Sequence, residues 1–302
     1  ANDPLTRSRI HLRAEATVLL RLSLSFAFLI LLPILAPAQA PEPAPSSGTI
    51  QAPATNQAPA TNQASQGNSR DDRAREFKQY KQLPPPGIEI GAEDRSALTN
   101  RVEELTTRVG WLAEGDSSAE SWRPDIEVFV RAVQLAIEQD TFYKKNEPTL
   151  AAILLDEAER RLTAVADGKR GLDLLGWDPS QNDGPQMLVG GYRSRIDDSV
   201  QPFGIVLPAG FQAENSMPHR VDVWLHGRGD TKTEIAFLTE RRNKAGQYTP
   251  AETVVLHPFG RHCNAFKFAG ETDVYESISH LESLLPVNPQ KLAIRGFSMG
   301  GA

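Results

Sequence analysis

The sequence predicts an α/β fold: a mixed sheet with helices on both faces, preceded by a low-complexity linker and a small helical bundle. Three observations lead there. From about residue 186 onward, short β-like runs give way to strands alternating with amphipathic helices. Ahead of them, three helical stripes follow one another with short connections, the pattern of a bundle. Last, the strand-like run Lys291-Leu292-Ala293-Ile294-Arg295 leads into Gly296-Phe297-Ser298-Met299-Gly300-Gly301-Ala302. That is a G-x-S-x-G, whose chemistry needs a strand before it and a helix after it.

Composition bounds the reading. A length of 302 residues suggests about two domains, and a hydrophobic fraction of 40% is adequate for a globular core. The net charge of −6 lacks the basic footprint of a nucleic-acid partner. Cys263 is the single cysteine, so an internal disulfide is excluded and a packed thiol is expected.

Residues 1–40 read as a signal peptide. Arg7, Arg9, His11 and Arg13 are followed by an uncharged stretch, apolar from Leu22 to Leu35, and then by Ala36-Pro37-Ala38 and Ala38-Gln39-Ala40. Pro33 interrupts the run, which favours a cleaved signal over a retained anchor. Export is therefore expected, to the periplasm, the cell surface or the medium, with no membrane contact beyond this segment. Residues 41–90 read as a Pro/Ala/Gln-rich linker. Gln51–Asn56 is repeated as Gln57–Asn62, and such a composition cannot bury enough surface to order itself.

Residues 91–177 form the expected helical domain. Leu98, Val102, Leu105, Val109 and Leu112 make the first stripe; Ile126, Val130, Val133 and Ile137, opened by Pro124, the second; Leu155, Ala158, Leu162 and Val165, opened by Pro148 and closed by Gly168, the third. The segment reads as a structural prefix, with a lid or docking module as the alternative. Residues 186–302 form the expected catalytic domain. Its strands are Met187–Arg193, Phe203–Leu207, Val221–Leu225, Thr253–Leu256 and Leu292–Arg295, with a turn at Asp197-Asp198. Thr231 with Glu234 predicts a capping box for a helix through Ala245. Val274, Ile278, Leu281 and Leu285 predict a second helix, ending before Pro286.

Ser298 is the candidate nucleophile. Gly296 and Gly300 flank it with the small residues a sharp turn demands, and the Met299 N–H is a candidate oxyanion donor. Phe259, Phe266 and Phe268 are either core or the wall of an apolar subsite. His257, His262 and Cys263 lie close in sequence but lack the further ligands of a recognisable metal site, so neither metal nor cofactor is expected.

Gly296-Phe297-Ser298-Met299-Gly300-Gly301 resembles the nucleophile motif of α/β-hydrolases, and His226-Gly227-Arg228-Gly229 resembles their oxyanion loop. The stretch from about Tyr192 to Ala302 resembles bacterial proteins of the prolyl oligopeptidase family and related esterases. The resemblance implies a three-layer α/β-hydrolase sandwich and a second oxyanion donor from Arg228, with Gly227 as the alternative. It implies that His226 shapes the loop rather than acting as the base. In that fold the acid and the histidine follow the serine, so the chain reads as the N-terminal part of a longer protein, expected to be inactive by itself. The expected function is that of an exported serine peptidase of the prolyl oligopeptidase kind. A carboxylesterase acting on cell-wall, polyester or plant-polymer esters is the alternative, and a non-catalytic tethered binding protein a third reading. The expected partner is a peptide or ester substrate. A β-propeller, common in relatives that cut proline peptides, has no room ahead of the sheet.

Overall fold

The computed structural model describes residues 84–213, 217–262 and 264–302. The expected signal peptide, most of the linker and Cys263 lie outside these residues. Three helices come first: α1 (Ala92–Ala113), α2 (Arg123–Glu138) and α3 (Glu147–Ala166). The α1 stripe of Leu98, Val102, Leu105 and Val109 is buried. Pro124 and Pro148 sit in first turns, where a missing N–H breaks no helical hydrogen bond. Helix α2 buries Ile126, Val128, Phe129, Val130, Ala132, Val133 and Ala136, the mark of a helix enclosed by neighbours on several sides. A short α4 (Gly171–Leu175), absent from the sequence reading, ends at Gly176 in the left-handed region at φ 101°.

The last residues of the expected linker fall within the described part. Residues 84–90 pack against the bundle: the Ile88 N–H donates to Phe142 O at 2.7 Å, and Ile90 is buried. Two isoleucines at alternate positions give this stretch the apolar surface that the preceding repeats lack.

The sheet has five strands in the order β1-β2-β4-β3-β5. They are β1 (Gln186–Arg193), β2 (Val200–Leu207), β3 (His219–Leu225), β4 (Thr253–Pro258) and β5 (Val287–Gly296). β1 and β2 form an antiparallel hairpin through a turn in which Asp198 has φ 58°. β2 pairs antiparallel with β4, and β3 pairs parallel with both β4 and β5. Helices α5 (Glu234–Asn243) and α6 (Ala269–Leu284) make the crossovers between the parallel strands. A mixed α/β sheet is thus present, as the alternating pattern predicts. The capping box is not: Thr233, rather than Thr231, caps α5, its Oγ1 accepting the Ala236 N–H at 3.2 Å. The helix stops at Asn243, short of Ala245.

Side chains alternate across the sheet, as a period of two requires. Leu188, Tyr192, Phe203, Ile205, Val221, Val223, Val254 and Leu256 share one core with Val274 and Leu281 of α6. Val189 and Val200 share the other core with α1–α3 and with Ile235, Phe237 and Leu238 of α5. The bundle is therefore seated on the sheet through a shared apolar core.

The seat is made at β1, the first strand of the order. A Cβ on Gly191 would fall 2.4 Å from Pro124 O, and one on Gly190 2.4 Å from Asp125 Oδ1, so only glycine lets the start of α2 lie this close. Arg161 of α3, 1% exposed, donates to Val189 O (2.8 Å), to Asp125 O (2.9 Å) and to Glu157 Oε1 (2.8 Å). The Gly191 N–H donates to Asp125 Oδ1 at 3.0 Å. Main-chain groups that an edge strand leaves unpaired are thus taken up by the bundle. Glu157 also accepts from Arg160 at 2.6 Å and from Arg242 of α5 at 3.1 Å. Burial alone would raise its carboxyl, but these three arginines hold it down at about 2.

Candidate active site

β3 and β5 run parallel with Leu225 opposite Gly296, so the chains leaving both strands emerge side by side. The last tie between them is Phe297 N–H to Leu225 O, at 3.1 Å. Beyond it β3 continues as His226-Gly227-Arg228, while β5 turns into a single 3₁₀ turn, Ser298–Gly301. The predicted nucleophile and the predicted oxyanion loop therefore leave neighbouring strands at the carboxyl edge, where ligands of such sheets bind.

Ser298 is exposed and has φ 51°, in the left-handed region that a residue with a side chain seldom adopts. Close backbone approach explains its neighbours. A Cβ on Gly296 would lie 1.9 Å from Gly300 O; one on Gly300 would lie 2.3 Å from Leu225 O and 2.8 Å from His226 O. A Cβ on Gly227 would meet the Phe297 ring at 2.9 Å. The turn thus folds back onto the loop after β3, and both glycine positions of G-x-S-x-G are forced sterically. Met299, partly buried against the α6-side core, lies in the first turn, where N–H groups have no intrahelical partner. The Arg228 side chain pairs with Asp230 at 2.6 Å.

The histidines hold other positions. His226 is buried, its Nδ1 2.9 Å from Gly227 O and its Nε2 2.9 Å from Phe259 O. Burial pushes its pKa down, and a neutral ring donates to one of these carbonyls at a time. The ring cross-ties the loops after β3 and β4. His257 is buried beside Arg241, and burial together with that guanidinium lowers it to about 3. His262 Nδ1 lies 3.1 Å from Lys232 O. His219 opens β3 at the opposite edge from Ser298, and His280 packs on Phe203 at 5.1 Å between ring centroids. Of the phenylalanines, Phe259 and Phe266 are core residues against His226, whereas Phe268 is 88% exposed. Among the described residues, no three His, Cys, Asp or Glu side chains converge as a metal would need.

Two supporting groups escaped the sequence reading. Asp222, buried on β3, accepts from Arg220 (3.0 Å), from Tyr248 and from Arg295 of β5 (2.5 Å), just before the turn. Burial opposes its charge, yet these donors hold the carboxyl down at about 2. Tyr248 stacks on Trp224 with ring centroids 5.0 Å apart. In the loop after β4, Arg261 has φ 56° and binds Asp273 (2.9 Å), Asp197 (2.6 Å) and Ser194 (2.8 Å). Alternating charge at Arg220, Asp222 and Arg295 was the only available signal, and charged residues at strand ends are common.

No family model and no curated protein matches the chain. Solved structures match a part of it. FphF, a fluorophosphonate-binding serine hydrolase of Staphylococcus aureus, is 17% identical over 39% of this chain and 49% of its own, with a TM-score of 0.29. A ferulic acid esterase is 21% identical over 39% of this chain and 52% of its own, TM-score 0.29. A CE1 ferulic acid esterase of the anaerobic fungus Anaeromyces mucronatus is 18% identical over 42% and 54%, TM-score 0.25. The chain spans about half the length of these structures.

Proposed function

We propose that the chain carries the nucleophile and the oxyanion donors of an α/β-hydrolase-type serine hydrolase. The observation that carries the reading is Ser298 at φ 51°, exposed where β5 passes into a 3₁₀ turn, with flanking glycines at which an added Cβ would fall 1.9–2.3 Å from backbone oxygens. Such a turn presents Oγ to a substrate while the next N–H points at the developing oxyanion. Met299 supplies that N–H, and Arg228, or Gly227 beside it, supplies the second from the adjoining loop. His226 keeps that loop in shape. The general base and its acid belong to sequence following Ser298, in the order serine, acid, histidine.

The substrate is an acyl compound. Peptide bonds are the first reading, from the resemblance to prolyl oligopeptidase relatives, and carboxylic esters the second. The basic, apolar and small-residue order of residues 1–40 supports export, and N-terminal sequencing of the exported protein should find a start near Gln39 or Pro41. An exported protein that retains Leu22–Leu35 counts against the cleaved signal.

The test is labelling of the full-length gene product with a fluorophosphonate, followed by assay on peptide and ester panels. Ser298 is expected to take the label and Ser298→Ala to lose it, with turnover. Labelling that survives in Ser298→Ala places the nucleophile elsewhere. A correctly folded protein that neither labels nor turns over either panel supports the tethered binding module instead.

A further inference from the structure

Asp125 opens α2 against the free edge of β1 and is 1% exposed. Its Oδ1 accepts the Gly191 N–H at 3.0 Å, while its Oδ2 is buried with no hydrogen-bond partner. The nearest guanidinium, Arg161 from α3, directs its donors to the main-chain oxygens of Asp125, Val189 and Leu175 and to Glu157. From α5 the charge at this seam is Arg242, which binds Glu157. From β1 come the Gly191 N–H and, toward the surface, Arg193, which pairs with Glu120 and with Glu127 of α2. Glu157 and Glu234, also buried between the bundle and the sheet half, differ: Glu157 accepts from Arg160, Arg161 and Arg242, and Glu234 Oε1 pairs with Arg131. Of these three carboxylates, Asp125 is the one without a side-chain donor.

A buried carboxylate with one oxygen unbonded is costly as an anion and far less so when protonated. We propose that Asp125 is a proton-controlled joint between the helical bundle and the sheet, closed when the carboxyl is neutral and loosened when it ionises. Burial pushes this carboxyl up to about 7, against the opposing Arg161 charge and Gly191 N–H. An unfolded aspartate releases its proton near pH ~4. Between that value and about 7 the folded chain binds more protons than the unfolded one. The stabilisation from the neutral side chain is thus complete below the unfolded pKa and lost as pH rises through the folded one. His257 and His280, lowered by burial to about 3 and about 4, act in the opposite direction at acid pH. Comparison with an isosteric variant therefore isolates Asp125.

Urea unfolding of the full chain and of Asp125→Asn, from about pH 5 to 8, tests the joint. The folding constant of the variant relative to wild type is expected to rise by up to about tenfold per pH unit to near pH 7 and then level off. A ratio constant across that range overturns the proposal. Should the variant fail to fold, carbon-13 carboxyl NMR of the wild-type chain decides. An Asp125 midpoint near 7 supports the joint, and a midpoint near the ordinary aspartate value of about 4 overturns it.

Discussion

A residue with a side chain at φ near 50° holds its place only where the surroundings over-determine it, and Ser298 shows how few contacts that takes. The Gly300 N–H donates to Phe297 O at 3.0 Å, the Phe297 N–H to Leu225 O at 3.1 Å, and Gly300 lies flat on the main chain of Leu225 and His226. Gly300→Ala should push the turn off that loop, because the new methyl meets backbone oxygens that have nowhere to go. Losing the alignment of one oxyanion donor costs about 10²–10³ in rate, so fluorophosphonate labelling of the full-length protein should fall by at least that order with circular dichroism unchanged. Undiminished labelling would show that the close approach to Leu225 is irrelevant to reactivity. Gly296 was legible in the sequence because its partner, Gly300, lies four residues away, whereas Gly300 meets Leu225 and His226 across the sheet and was legible only through the motif. The cross-tie from His226 to Phe259 spans 33 positions, and the Asp222–Arg295 pair spans 73. No local period encodes a pairing at such separations.

Elements divide in the same way. Stripes of apolar residues mark the three helices of the bundle in the sequence itself, since one face of each must be apolar wherever it packs. The start of α5 was misplaced because Thr231 and Thr233 both satisfy the pattern of a cap, and the turn from Gly229 to Lys232 decides between them. Thr233→Ala should cost about 1 kcal/mol in urea unfolding, and Thr231→Ala distinctly less. Equal costs would return the cap to Thr231. On β1, Gly191→Ala inserts a methyl against Pro124 O and the Val128 side chain; overpacking of this kind costs about 1–3 kcal/mol. Because the obstacle is helix backbone rather than a pliable side chain, a loss at the upper end is expected from the unfolding midpoint. A neutral effect would mean that α2 can shift without cost.

At the scale of the whole molecule, the sequence reading separated a bundle from a sheet, and the structure runs one apolar core through α1–α3, α5 and two strands of the sheet. Periodicity shows that a helix has an apolar face but not which surface it meets, so the seat on β1 was invisible. Arg161→Met removes donors from three main-chain oxygens and one carboxylate in a buried site. Breaking such an arrangement costs about 3–5 kcal/mol, to be read as a fall in the urea midpoint with a single transition for bundle and sheet. Two separated transitions would show that the halves fold independently. The chemistry of the seat also bears on ancestry. Arg161 and Asp125 grip carbonyl and amide groups of β1, which any sequence supplies, and only Gly190 and Gly191 are demanded of the strand itself. Apolar identities on both sides can therefore drift through evolution without unseating the helices. What the seat demands of the chain is an aspartate, an arginine 36 positions later and a glycine pair on the first strand. A relative with bulky residues at that pair is expected to carry its N-terminal helices somewhere else, or to lack them.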